Sequence, residues 1–167
     1  MPPLGVPQFG TAVSGGEPDP ALVLEIDAEV TSRARYLVAR GSMDGTGIHA
    51  VKFSIGLGGY DPFDYKTAVP VNPDSTNLDF PLPFSTPDGL KAVTEYEQPN
   101  QLSGCTYCVV SAAEGNDLLG EVGIWAEIVY SPFTHEVGDV FLAAIAHFPL
   151  IAKNSSMQYA FRVNVHF

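Results

Sequence analysis

Apolar and polar positions change their period along this chain, and each change marks an element. Between Asp27 and Arg40 the apolar residues Val30, Ala34, Leu37 and Val38 stand at i, i+4, i+7 and i+8. That spacing predicts one amphipathic helix, with Asp27 as its N-cap and Gly41 just past its end. From Ile48 the period becomes two. His49, Val51, Phe53 and Ile55 alternate with Ile48, Ala50, Lys52 and Ser54, which predicts a strand. It ends in the run Gly56-Leu57-Gly58-Gly59-Tyr60-Asp61-Pro62. Prolines at 62, 70, 73, 81, 83 and 87 leave room only for short or edge strands between 60 and 90.

The second half reads as successive strands: Leu90 to Tyr96, Thr106 to Ala112, Glu121 to Tyr130, Val140 to Phe148 and Phe161 to Phe167. In the third of these, Val122, Ile124, Ala126 and Ile128 share a face. Val140 to Phe148 is continuously apolar, as a strand covered on both faces would be. The predicted fold class is mainly β: an antiparallel β-sandwich or sheet with one N-terminal α-helix packed against it.

Composition sharpens this picture. A length of 167 residues suits one domain, or one domain plus an arm. Residues 1–20 hold five prolines and four glycines, so neither a helix nor a central strand is expected there. They also carry Leu4, Val6, Phe9 and Val13. Two readings stay open, a disordered terminus or an extended arm that orders against a neighbouring subunit. The chain thus divides into a Pro/Gly-rich arm, 1–20, and a single mainly-β domain, 21–167. The first residues lack the basic and apolar regions of a signal peptide. The longest uncharged apolar run, Val140 to Ala152, is too short to span a bilayer, so no membrane insertion is expected.

A net charge of −11 argues against nucleic acid as a partner, because phosphate binding needs clustered cations. Three of the eight basic residues, Arg33, Arg35 and Arg40, fall on the predicted helix. There they compensate the macrodipole and pair at the surface, or they contact an acidic partner.

Candidate chemistry adds little. Cys105-Thr106-Tyr107-Cys108 is a lone CxxC. Zinc needs further ligands, and His49, His135, His147 and His166 are scattered. A redox pair should open a helix, whereas Val109 and Val110 continue a strand, so two buried or loop thiols are expected. The glycine run after the strand lacks the Lys-Ser/Thr of a phosphate loop, and a tight turn needing positive φ explains it. No nucleophile elbow or paired-acid cleft stands out. No enzyme activity, cofactor or metal is expected. Trp125, the single tryptophan, lies in a strand and is expected in the core or an interface.

The order of helix, strand and glycine turn carries a family resemblance. Val30 to Arg40, then Ile48 to Ile55, then Gly56-Leu57-Gly58-Gly59-Tyr60 resembles the start of phage tail-collar fibre N-terminal domains. Gly120-Glu121-Val122-Gly123-Ile124-Trp125 is similar to a Glu-Ile-Gly-Leu-aromatic strand of that family. Val140 to Ala146 and Phe161 to Phe167 are similar to its later strands. The resemblance covers about residues 28–167. Leu57 stands where the family usually has an acidic residue, and Arg35 where it has a small one. The stretch 60–104 matches poorly.

The resemblance implies a structural virion protein of a tailed phage, made in the host cytoplasm. It would connect or anchor a fibre or neighbouring protein at the tail, baseplate or collar. Its partners would be other tail, baseplate or collar proteins, and it would form a homotrimer or other homo-oligomer. Family members usually continue into a fibre shaft, so this length favours a connector over host recognition. The expected partner contacts are Val6, Phe9 and Val13 in the arm, Arg33, Arg35 and Arg40 on the helix, and Trp125. The alternative is a carbohydrate- or receptor-binding module of the tail, with Trp125, Tyr60, Tyr65 and Tyr96 as stacking residues.

Overall fold

The computed structural model describes residues 21–100 and 103–166. The expected arm, with Val6, Phe9 and Val13, lies outside the described residues. The chain enters on strand β1 (Ala21–Val30) and continues into helix α1 (Ser32–Asp44) and strand β2 (Gly47–Gly56). Five short strands follow: β3 (Tyr60–Asp61), β4 (Asp64–Ala68), β5 (Pro81–Leu82), β6 (Lys91–Ala92) and β7 (Glu95–Asn100). The long strands β8 (Ser103–Val110), β9 (Leu118–Tyr130), β10 (Val140–Ala152) and β11 (Gln158–His166) complete the fold. It is mainly β, with one helix packed against a curled mixed sheet.

The strand order is β5-β2-β9-β10-β1-β11-β8-β7, with β6 also on the edge of β2. Every pairing is antiparallel except one. β1 runs parallel to β11 from Ala21 opposite Gln158 to Ala28 opposite Val165. It then crosses to β10, where Val30 lies opposite Ala144. β1 therefore joins the two halves of the sheet, and the fold is mixed rather than purely antiparallel.

This placement corrects the expected helix start. Asp27 is not an N-cap, because residues 21–30 are a strand with its own alternation. Leu24, Ile26, Ala28 and Val30 are buried, whereas Asp27 and Glu29 are exposed. Val30 is the last inward position of that strand, not the first of a helical stripe. The N-cap is Thr31, whose hydroxyl accepts from the Ala34 N–H and donates to the Leu142 carbonyl. The helix ends at Gly45 rather than Gly41, with φ 81° and an N–H bonded to the Gly41 carbonyl. Ala34 and Leu37 face the sheet, and Val38 faces outward.

The expected long strands are present, each within a few residues of its reading. Leu90 to Tyr96 instead divides into β6 and the start of β7. One core fills the concave side, with Leu24, Phe53, Ile55, Leu119, Val122, Phe161 and Val163 fully buried. Phe53 meets Phe84 edge-on at 5.3 Å, and Phe148 lies 5.6 Å from Phe161. A smaller cluster on the other face joins Leu78, Leu142 and Ile145 to Val71 and Trp125. The loop from β4 to β5 thus covers the outside of β9 and β10. That cover explains the continuously buried run from Phe141 to Ala146.

Phe161→Ala removes a fully buried ring at the parallel seam and should cost about 3–5 kcal/mol in urea unfolding. Met43→Ala, at an exposed helix position, should stay within about 0.5 kcal/mol of the parent.

Candidate functional site

Register decides which polar side chains meet. Glu121 on β9 lies opposite Gly56 on β2 and opposite His147 on β10. Residues directly opposite on neighbouring strands share a face, so one row runs Gly56, Glu121, His147 across the outer face. Glu121 is fully buried beneath the covering loop.

A buried carboxylate requires donors. Here they are backbone N–H groups. Oε1 accepts from Phe80 at 2.8 Å and Gly58 at 3.2 Å, and Oε2 accepts from Asp79 at 3.0 Å. The glycine run now has a reason beyond a turn. A Cβ on Gly56 would stand 2.3 Å from Glu121 Oε1, and one on Gly58 would stand 2.9 Å from it. Gly59 supplies the positive φ, 85°, and a Cβ there would meet the Gly120 carbonyl at 2.5 Å and His147 Cδ2 at 2.9 Å. The turn must therefore approach both Glu121 and His147 as bare backbone.

His147 closes the cluster. Its Nδ1 lies 2.9 Å from the Val69 carbonyl, so Nδ1 carries a proton and donates. Its Nε2 faces Glu121 Oε2 at 3.6 Å and Asp79 Oδ2 at 3.9 Å. Burial pushes the Glu121 pKa up, but His147 and the three backbone N–H groups outweigh it and hold the net value below the ordinary range. Burial likewise opposes charge on His147. Glu121, the Val69 carbonyl and Asp79 reverse that and raise its pKa. Both directions describe an ionised pair.

Of the expected contact residues among those described, Arg33 and Trp125 meet at one cleft, while Arg35 and Arg40 lie apart from it. Arg33 sits 4.9 Å over the Phe141 ring, and Arg35 is exposed on α1. Arg40 is held internally, bonded to Glu136 Oε2 at 2.6 Å, Asp44 Oδ2 at 2.9 Å and Ser131 Oγ at 2.9 Å. Hydrogen bonding to Arg40, with Ser131 beside it, lowers the Glu136 pKa to about 2. Around this network stand exposed apolar groups. The Arg40 guanidinium lies 5.9 Å from the Tyr36 ring and 5.3 Å from that of Phe133. Tyr36, Met43, Tyr130, Phe133 and Val137 are all exposed.

Trp125 is half-buried and donates from Nε1 to Ser54 Oγ at 2.8 Å. It lines a cleft of about 330 Å³ with Ser32, Arg33, Asp74, Thr76 and Phe141. Tyr65 is exposed on β4, Tyr60 is half-buried against Gly120, and the side chain of Tyr96 lies outside the described residues. Both cysteines are buried on β8. Burial pushes the Cys108 thiol up to about 12, which leaves it protonated and inert.

Sequence reasoning missed Asp79, Glu121 and His147 as a group. They are far apart in the chain and share no spacing motif. The available signals were the glycines at 56, 58, 59 and 120, and Glu121, one of two acidic residues in an otherwise apolar strand. No protein-family model matches the chain, no curated protein matches it, and no solved structure matches it.

Glu121→Gln keeps the shape but turns one acceptor into a donor facing backbone N–H groups. It should cost about 1–3 kcal/mol in urea unfolding. It should also speed amide exchange at Gly58, Asp79 and Phe80. For Glu136, an unfolded carboxylate titrates near 4.3. The stabilisation from its depressed pKa is full above that pH and is lost as pH falls toward about 2. The gap in urea midpoint between the parent and Glu136→Gln should therefore be wide at neutral pH and close on acidification.

Proposed function

We propose that this chain is a structural assembly domain of a tailed phage, a connector at the tail, baseplate or collar that anchors a fibre or neighbouring protein. The observation that carries the reading is the exposed apolar face where α1 meets the β9–β10 connection, with Arg40 fixed at its centre. Tyr36, Arg40 and Met43 stand at i, i+4 and i+7 on one side of the helix, and Arg40 bonds across to Glu136 and Ser131. Side chains already held in place lose little entropy on docking, and exposed aromatics of this kind mark protein contacts.

Pairing along a sheet edge is the less favoured mode of contact. The outer strand β7 carries Glu95, Glu97 and Pro99, and charge and proline on an edge oppose added strands. The family resemblance of the sequence adds the phage context and the homo-oligomer.

The reading predicts that the chain is found in purified particles of the phage that encodes it. Tyr36→Ser combined with Phe133→Ser should reduce its incorporation at least about tenfold while leaving its unfolding midpoint nearly unchanged. A chain absent from particles, or incorporated equally well by the double variant, overturns the reading. Light scattering of the purified chain should give a multiple of the monomer mass, a trimer in the simplest case. A monomer at every concentration removes the oligomer from the proposal.

A second reading, a carbohydrate-binding module, draws on the Trp125 cleft. An indole flanked by Ser32, Asp74 and Thr76 offers a stacking face with hydrogen-bonding groups beside it. Trp125 is the only tryptophan in the chain, so its fluorescence reports on that cleft directly. Glycans that bind there should quench or shift the emission, and a blank glycan array counts against this reading.

A further inference from the structure

We propose that Asp79, Glu121 and His147 form a site for one divalent first-row transition-metal ion. The inference is independent of the assembly role. Three donor atoms, one from each residue, lie within 4.8 Å of one another. Two carboxylates alone would not carry the proposal, and His147 supplies the second observation. Its side chain is only 5% exposed. Its Nδ1 proton is committed to the Val69 carbonyl, which directs Nε2 at the gap between the carboxylates. Nε2 faces the two carboxylate oxygens at 3.6 and 3.9 Å, separations longer than an ordinary hydrogen bond.

Ligating histidines characteristically donate their other ring N–H to a carbonyl or carboxylate, which fixes the tautomer. The spacing suits an ion as well. Bonds of about 2.0–2.2 Å place tetrahedral ligand atoms about 3.4 Å apart. Both histidine–carboxylate separations lie within about half an ångström of that value. Asp79, half-exposed at the loop surface, can close the remainder, and its exposed side is an entry path with room for coordinating water.

Charge points the same way. Without an ion, two carboxylates face at most one imidazolium. With a divalent ion and a neutral imidazole, the cluster is balanced, and the Nε2 proton passes to solvent as the metal–nitrogen bond forms. One nitrogen and two oxygen ligands fit a borderline ion such as Zn²⁺ rather than Mg²⁺ or Ca²⁺, which prefer oxygen alone. The ion would fasten the loop at Asp79 to β9 and β10, beside the glycine turn.

The test is calorimetric titration of the chelator-treated full chain with Zn²⁺ in a buffer free of phosphate. The expected result is one ion per chain, with a dissociation constant below about 100 μM. Asp79→Asn removes a ligand from a half-exposed position, so the fold should survive. His147→Gln removes the nitrogen ligand. Each should weaken binding at least about tenfold, and Zn²⁺ should shift the His147 Nε2 resonance in the parent. No binding at about 1 mM Zn²⁺ overturns the proposal. So does equal affinity in the parent and Asp79→Asn, or a His147 ring resonance that Zn²⁺ leaves unmoved. The last two readouts decide the matter even where His147→Gln does not fold.

Discussion

A carboxylate placed in the middle of an apolar sheet organises much of this molecule. Glu121 is fully buried on β9, and an ion there is tolerable only if its oxygens are filled. The covering loop fills them with the N–H groups of Gly58, Asp79 and Phe80. Removing one partner from such a group costs more than the bond itself returns, because the remaining partner stays buried and unpaired. Loop, turn and strand therefore hold their places together. The turn can come close only because positions 56, 58 and 59 are glycine, and β9 tolerates the approach because position 120 is glycine too.

This dependence explains how the sheet can be apolar on both faces. On the concave side Val122 and Ile124 point into the main core. On the outer side Trp125 packs with Leu78, Leu142 and Ile145, under the loop that Glu121 anchors. Without that anchor the outer cluster would face water. The same economy of buried polar groups recurs at Lys153, which is 4% exposed and donates to the Glu114 carbonyl and Asn116 Oδ1. There a lysine holds the β8–β9 turn, as Glu121 holds the β2–β3 turn.

Much of the fold was legible because apolar residues mark each long strand: burial largely alternates along β8 and β11, and β10 has the unbroken burial that its apolar run implies. The helix was legible in kind but not in place. Residues 22–30 alternate with period two, yet Val30 also fits a helical stripe with Ala34 and Leu37. Only pairing with β11 and, at Val30, with β10 decides between them, and those contacts join residues far apart in the chain. The parallel seam was illegible for the same reason. The glycine run could be read as a turn from its composition, and Gly59 has the positive φ that reading required. Its other glycines answer to Glu121, which register alone brings beside them. Arg40 illustrates the converse. Its position on a helix was plain, but its commitment to Glu136 depends on a connection that period says nothing about.

The cluster and the cleft are linked through one loop. The segment that carries Asp79 to Glu121 also carries Leu78 into the apolar cluster around Trp125. A few residues earlier it sets Asp74 against the Ser32 hydroxyl at the start of α1, and Pro73 accepts the Ser32 N–H. Whatever fixes Asp79 therefore also fixes the floor of the Trp125 cleft and the first turn of the helix. The aromatic face around Tyr36 and Phe133 stands at the other end of that helix, held by the separate network of Arg40. The two polar assemblies thus grip α1 from opposite ends. The strands link them as well, because β9 carries Glu121, β10 carries His147, and the connection between these strands carries Ser131, Phe133 and Glu136.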